Sequence, residues 1–86
     1  MNRIALIGIM VEDRFAAGRI NEVLHQYGKY IIGRMGIPNA KEHLSVISVV
    51  LDAPADVISA LSGKLGMIKG VSSKTIYSKL EDSKGE

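Results

Sequence analysis

Tyr30-Ile31-Ile32-Gly33-Arg34-Met35-Gly36-Ile37-Pro38 lies near the middle of the chain and reads as a strand with one charge set among apolar residues. Apolar groups occupy both alternation classes, Tyr30 and Ile32 on one, Ile31, Met35 and Ile37 on the other. A strand of this composition is expected to bury contacts on both faces. Arg34 is then expected at a rim or against a partner.

Toward the N-terminus, Ala16, Ile20, Val23, Leu24 and Tyr27 recur at helical spacing. They predict an amphipathic helix over 14–27, with Asp13 as its N-cap and Gly28 as its stop. Before it, Ile4-Ala5-Leu6-Ile7-Gly8-Ile9-Met10-Val11 is continuously apolar and rich in β-branched residues, which predicts a central strand with Gly8 permitting close packing. Toward the C-terminus, Pro38-Asn39-Ala40-Lys41-Glu42-His43 reads as a polar connection, long for a hairpin. Leu44-Ser45-Val46-Ile47-Ser48-Val49-Val50-Leu51 is a second apolar strand that belongs beside the first. A helix follows, with Pro54 suited to its first position and Val57, Ile58, Leu61 and Leu65 as its stripe. The stretch 70–78 alternates, Val71, Thr75 and Tyr77 against Ser72, Lys74 and Ser78, as an edge strand does.

The order is β-α-β-β-α-β, with the Val11-Glu12-Asp13 strand exit echoed about forty residues later by Leu51-Asp52-Ala53. This predicts an α+β fold: a ferredoxin-like, four-stranded antiparallel sheet with strands one and three in the centre and two helices on one face. The domain is expected over 1–79, and the charged segment 80–86 is expected to be disordered.

Helices on one face leave the other parity of the central strands uncovered. Either Leu6 and Met10, or Ile7, Ile9 and Val11, fall outside; strand three offers Val46 and Val50 or Ile47, Val49 and Leu51. Ile7, Ile9, Val11, Ile47, Val49 and Leu51 are thus expected in the core or at an oligomer interface. An aliphatic sheet face of this kind predicts a homo-oligomer, dimer or tetramer, and leaves room for a regulatory protein partner. At 86 residues without cysteine the chain has no disulfide to reinforce a small core, so association is the expected remedy.

Eleven basic and nine acidic side chains give a net charge of +2, with no basic cluster, and the central strands present no aromatic rings for base stacking. Direct nucleic-acid binding is not expected. No apolar run approaches a membrane span, and a cytoplasmic location is expected. No phosphate loop, nucleophile elbow or acid–base pair of carboxylates is present, so the chain is not expected to be an enzyme. A small hydrolase or cofactor-free oxygenase would need a polar constellation that cannot be assembled from these residues. His25 and His43 read as a solvated helix histidine and a loop histidine; completing a metal site would take Glu42 or Glu22 across an interface, and no metal site or cofactor is assigned. Glu12, Asp13 and Arg14 at the start of the first helix, together with Arg34, are the candidate ligand-binding residues, for a small anion or an amino-acid carboxylate. Plain capping for the first three and a packed interface arginine for the last are the simpler readings.

Arg3 to Gly8, Tyr30 to Pro38, Asp52-Ala53-Pro54 and Asp56 to Gly66 resemble the family of iron-only hydrogenase system regulators, a likeness that runs from Arg3 to about Lys79. It implies an ACT-like fold similar to the ligand-sensing C-terminal domain of nickel-responsive repressors, in dimers or tetramers. The histidine-plus-cysteine ligand set of those repressors is missing here, so no nickel site carries over. A ribbon-helix-helix or helix-turn-helix segment is not expected before Ile4, so the implied regulation is expected to act through another protein. The function expected from residues and resemblance together is a regulatory module sensing a small ligand at a subunit interface. The alternative is an interaction module without a ligand.

Overall fold

The computed structural model describes residues 1–79, and the expected charged tail lies outside the described residues. Four strands, β1 (Asn2–Val11), β2 (Ile31–Lys41), β3 (Leu44–Pro54) and β4 (Val71–Tyr77), form an antiparallel sheet in the order β2-β3-β1-β4. Two helices, α1 (Ala17–Gln26) and α2 (Ala55–Gly66), complete the βαββαβ order. The two continuously apolar strands are central and pair along their whole lengths, from Asn2 opposite Pro54 to Val11 opposite Ser45.

That register decides which parity goes in. Ala5, Ile7, Ile9 and Val11 of β1 and Val49, Leu51 and Ala53 of β3 are buried with Ile20, Val23 and Leu24 of α1 and Ile58, Leu61 and Leu65 of α2 in one core. Of the six residues expected in core or interface, Ile7, Ile9, Val11, Val49 and Leu51 are buried and Ile47 packs half-buried against them. Truncating Leu61, which has no exposed surface, removes a side chain from the centre of this layer. Leu61→Ala is expected to cost about 3 kcal/mol in urea denaturation. A loss under about 1 kcal/mol would mean that α2 is not seated as described.

Several local expectations are corrected. The run from Tyr30 to Pro38 is not buried on both faces: β2 lies at the sheet edge, and Ile32, Met35 and Ile37 are exposed. The polar connection also disappears, because β2 runs on through Pro38 to Lys41 and turns into β3 over Glu42 and His43 alone. An edge strand tolerates a proline, whose missing N–H interrupts no ladder on the open side. Asn39 and His43 adopt positive φ (54° and 62°), the irregular register between Ile37 and Lys41 absorbs the bend, and the Asn39 N–H donates to Ser45 Oγ at 3.1 Å. Sequence patterning is blind to such an irregular arm because its residues are turn formers.

The first helix begins with a 3₁₀ turn over Arg14–Ala16, and the α-helix proper starts at Ala17. Asp13 caps that turn as expected, its Oδ1 accepting from the Phe15 N–H at 2.9 Å. At the other end Tyr27 is the C-cap, and the chain leaves through a second 3₁₀ turn, Gly28–Tyr30, rather than a left-handed Gly28. Pro54 caps α2 from outside, because β3 stays extended as far as the Asn2 partner position. Gly8 is not a close-packing site, since nothing lies within 4 Å of where its side chain would project on the uncovered face.

The uncovered face is aliphatic. Leu6 sits between Val50 and Ile76 in one row, Met10 beside Val46 and Ile37 in another, with Gly8, Ser48, Met35 and Lys74 between. Leu6 is 38% and Met10 43% exposed although both lie on the central strand.

Candidate functional site

The β2–β3 hairpin overhangs the end of β1, since Val11 pairs with Ser45 while the turn lies further out at Glu42 and His43. The first turns of α1 stand beside this arm without covering it. Between them lies a cleft of about 830 Å³. Val11, Ala17, Ile20, Ile37, Val46 and Ile47 supply its apolar surface. Arg14, Asn21, Arg34, Asn39, Lys41, Glu42 and His43 supply its polar wall.

Arg34 is the central group. On β2 it faces α1, pairing in register with the buried Val49, and its Nη2 donates to Asn21 Oδ1 at 2.7 Å. That bond spans from strand to helix and divides the groove, because Asn21 and Arg34 also line a second cavity of about 350 Å³ with Leu24, His25, Gly28 and Ile31. Asn21 is neutral, so it orients the guanidinium without cancelling its charge. Among the described residues, Arg19 pairs with Glu22 at 2.8 Å and His43 Nε2 lies 3.7 Å from Glu42 Oε2; no carboxylate pairs with Arg14, Arg34 or Lys41.

The four residues singled out from sequence divide here. Arg14 and Arg34 line one cleft, although twenty positions separate them in the chain. Glu12 and Asp13 do not line it: the Glu12 N–H donates to the Gly70 carbonyl at 2.7 Å, and the Asp13 carboxylate is spent on the cap. The two histidines lie in different cavities, His43 in the larger and His25 in the smaller. Among the described residues no three His, Asp or Glu side chains are placed to hold a metal ion. Asn21 and Lys41 escaped the sequence reading. Asn21 sits on the polar side of an amphipathic helix, and Lys41 has the sequence surroundings of a loop although it ends β2; only the length of the hairpin brings them to the cleft.

The element order, sheet order and helix placement define an ACT/ferredoxin-like domain. Two solved structures share this fold at low identity. The C-terminal domain of the MgtC protein from Mycobacterium tuberculosis matches with a TM-score of 0.73 at 12% identity, over 91% of this chain and 89% of that one. CPII, a nitrogen regulatory PII-like protein from Thiomonas intermedia K12 bound to ADP, AMP and bicarbonate, matches with a TM-score of 0.52 at 15% identity, over 88% and 94%.

A family model narrows this to residues 3–75, and the chain belongs to the TM1266-like family, described as "Iron-only hydrogenase system regulator, putative". The structure of the uncharacterized protein TM1266 from Thermotoga maritima is 44% identical, with a TM-score of 0.85 over 92% of this chain and 100% of that one. No curated protein matches the chain. Among the described residues no helix is long and apolar enough to cross a membrane.

Proposed function

We propose that this domain is a non-enzymatic regulatory module that assembles through its uncovered sheet face and senses a small ligand in the cleft beside α1. The observation that carries the reading is the position of Ile37 and Val46. They pair with each other in the row of Met10 on the aliphatic face, and both also line the cleft. A ligand that fixes the hairpin against α1 therefore acts on residues of the assembly surface. Coupling of this kind is reciprocal, so assembly would change ligand affinity by the same factor.

A second copy of this chain is the occupant that suits the face. Besides aliphatic groups, the central rows carry one acid, Asp52, and one base, Lys74, so identical faces approach without net repulsion. The aliphatic rows reach β4 at Ile76 and β2 at Ile37, on either side of the row of Gly8, Ser48 and Lys74, a spread that favours a broad, flat partner such as the same sheet. Regulation then passes to another protein through the assembled form.

Light scattering on the full chain tests this reading, combined with thermal denaturation against amino acids, nucleotides and other small organic anions. A dimer or tetramer is expected at micromolar concentration. A saturating ligand at 100 times its Kd should stabilise it by about 2.7 kcal/mol. A monomer would sink the assembly. An oligomer indifferent to every ligand would favour the module that only binds proteins.

A further inference from the structure

We infer that the groove between α1 and β2 selects an organic anion: a carboxylate or phosphate group carried on a compact apolar body, with Arg34 and Arg14 holding the anionic end. The inference rests on the ligand-sensing reading above and assigns the chemical class of its ligand.

Charge sets the sign. Arg14, Arg34 and Lys41 line the larger cleft against one carboxylate, Glu42, which lies beside His43. Arginine commonly meets a carboxylate in its own protein, yet among the described residues none pairs with Arg14 or Arg34. A guanidinium carries five N–H donors in a rigid fork, and Arg34 commits one to Asn21. The others remain for a planar or tetrahedral anion, and the bond to Asn21 tethers the fork to the helix. Among the described residues, a cation entering this cleft would meet one carboxylate, Glu42.

Shape and polarity set the rest of the ligand. Val11, Ile20, Ile37 and Ile47 form a surface that inorganic phosphate would leave uncovered. An aliphatic body of a few carbons covers it, and the cleft volume falls within the range usual for small-molecule sites. A zwitterion has the same anionic end but brings an ammonium group for which Glu42 is the only carboxylate among the described lining residues. A simple organic acid or phosphate monoester therefore fits better than an amino acid.

Three probes share one apolar body and differ in the head group: 4-methylpentanoate, 3-methylbutyl phosphate and 3-methylbutylamine. Each is titrated into the full-length, isotope-labelled chain and followed by amide chemical shifts. At least one anion should give saturable shifts centred on Arg14, Asn21, Arg34 and Ile47, and the two anions separate the carboxylate from the phosphate source. The amine should bind at least about tenfold more weakly. Arg34→Gln should weaken the anion about tenfold while the spectrum stays dispersed. Equal binding of amine and anion, shifts confined to the uncovered sheet face, or no saturable shift with either anion overturns the inference. Amine binding in the groove would leave the sensing reading standing and remove only this ligand class. A monomeric chain that still binds the anion would sink the assembly reading and leave this one intact.

Discussion

Gly70→Ala is expected to destabilise the domain by about 3 kcal/mol, although the site is a surface turn and the change adds one carbon. Gly70 holds φ at +79°, where a side chain costs about 1 to 2 kcal/mol. The added Cβ would also stand 2.5 Å from Asp13 Cβ and 3.3 Å from Asp13 N. Neither neighbour can retreat cheaply. Asp13 is held from both sides, its carboxylate accepting from the Phe15 N–H and its carbonyl accepting from the Ala16 N–H at 2.9 Å, while the next-door Glu12 N–H is bonded to Gly70 itself. Urea denaturation should place the midpoint well below that of the parent, and the melting temperature should fall by roughly 12 to 24 °C for a domain of this size. Arg14 follows Asp13 directly, so the folded fraction should also bind organic anions more weakly. A variant within 1 kcal/mol of the parent would show that the β1 exit and the β4 entry are not in the contact described.

Which parts of this arrangement were legible before the structure follows from what period carries. The central strands announced themselves because β1 and β3 are apolar at nearly every position, and the stripes Ile20, Val23, Leu24 and Ile58, Leu61, Leu65 fall at helical spacing. Strand order followed from those facts and chain connectivity. Which parity of β1 lay beneath the helices was undecidable, since Leu6 and Ile7 are equally hydrophobic; only the packed register separates them. The hairpin resisted for the opposite reason. Pro38 and Asn39 carry loop propensities, and the continuation of β2 through them to Lys41 depends on β3 as a template. The cleft inherits that difficulty. Arg14 at the first helix's start and Arg34 within its strand are identifiable as candidate charges, but their place in one cleft depends on the length of an arm that local sequence does not encode.

Leu6 and Ile7 are adjacent, similar in size, and expected to respond to the same substitution in opposite ways. Ile7 has no exposed surface and faces α1 and α2 across the sheet, where an aspartate would find no polar partner. Ile7→Asp is therefore expected to cost about 4 kcal/mol or more, most of the stability available to a small domain, and to abolish the cooperative unfolding transition. Leu6 points the other way, between Val50 and Ile76. In an isolated chain a carboxylate there reaches water, so Leu6→Asp should fold with near-parental secondary structure. In a face-to-face assembly the same carboxylate would be trapped against the partner's aliphatic surface. Its dissociation constant should then rise about a hundredfold, corresponding to about 3 kcal/mol, and light scattering at micromolar concentration should show the smaller species. Val49→Asp and Val50→Asp repeat the experiment on β3, with Val49 in the role of Ile7 and Val50 in that of Leu6. If Ile7→Asp and Val49→Asp both fold normally, the helix-covered core is misassigned. If Leu6→Asp and Val50→Asp fold and keep the parental oligomeric mass, the sheet face is not the assembly surface, and the exposed edge of β2 takes its place. The pairwise design matters because a single charged variant that loses mass could have lost its fold; a neighbour of opposite parity separates the two causes within one strand.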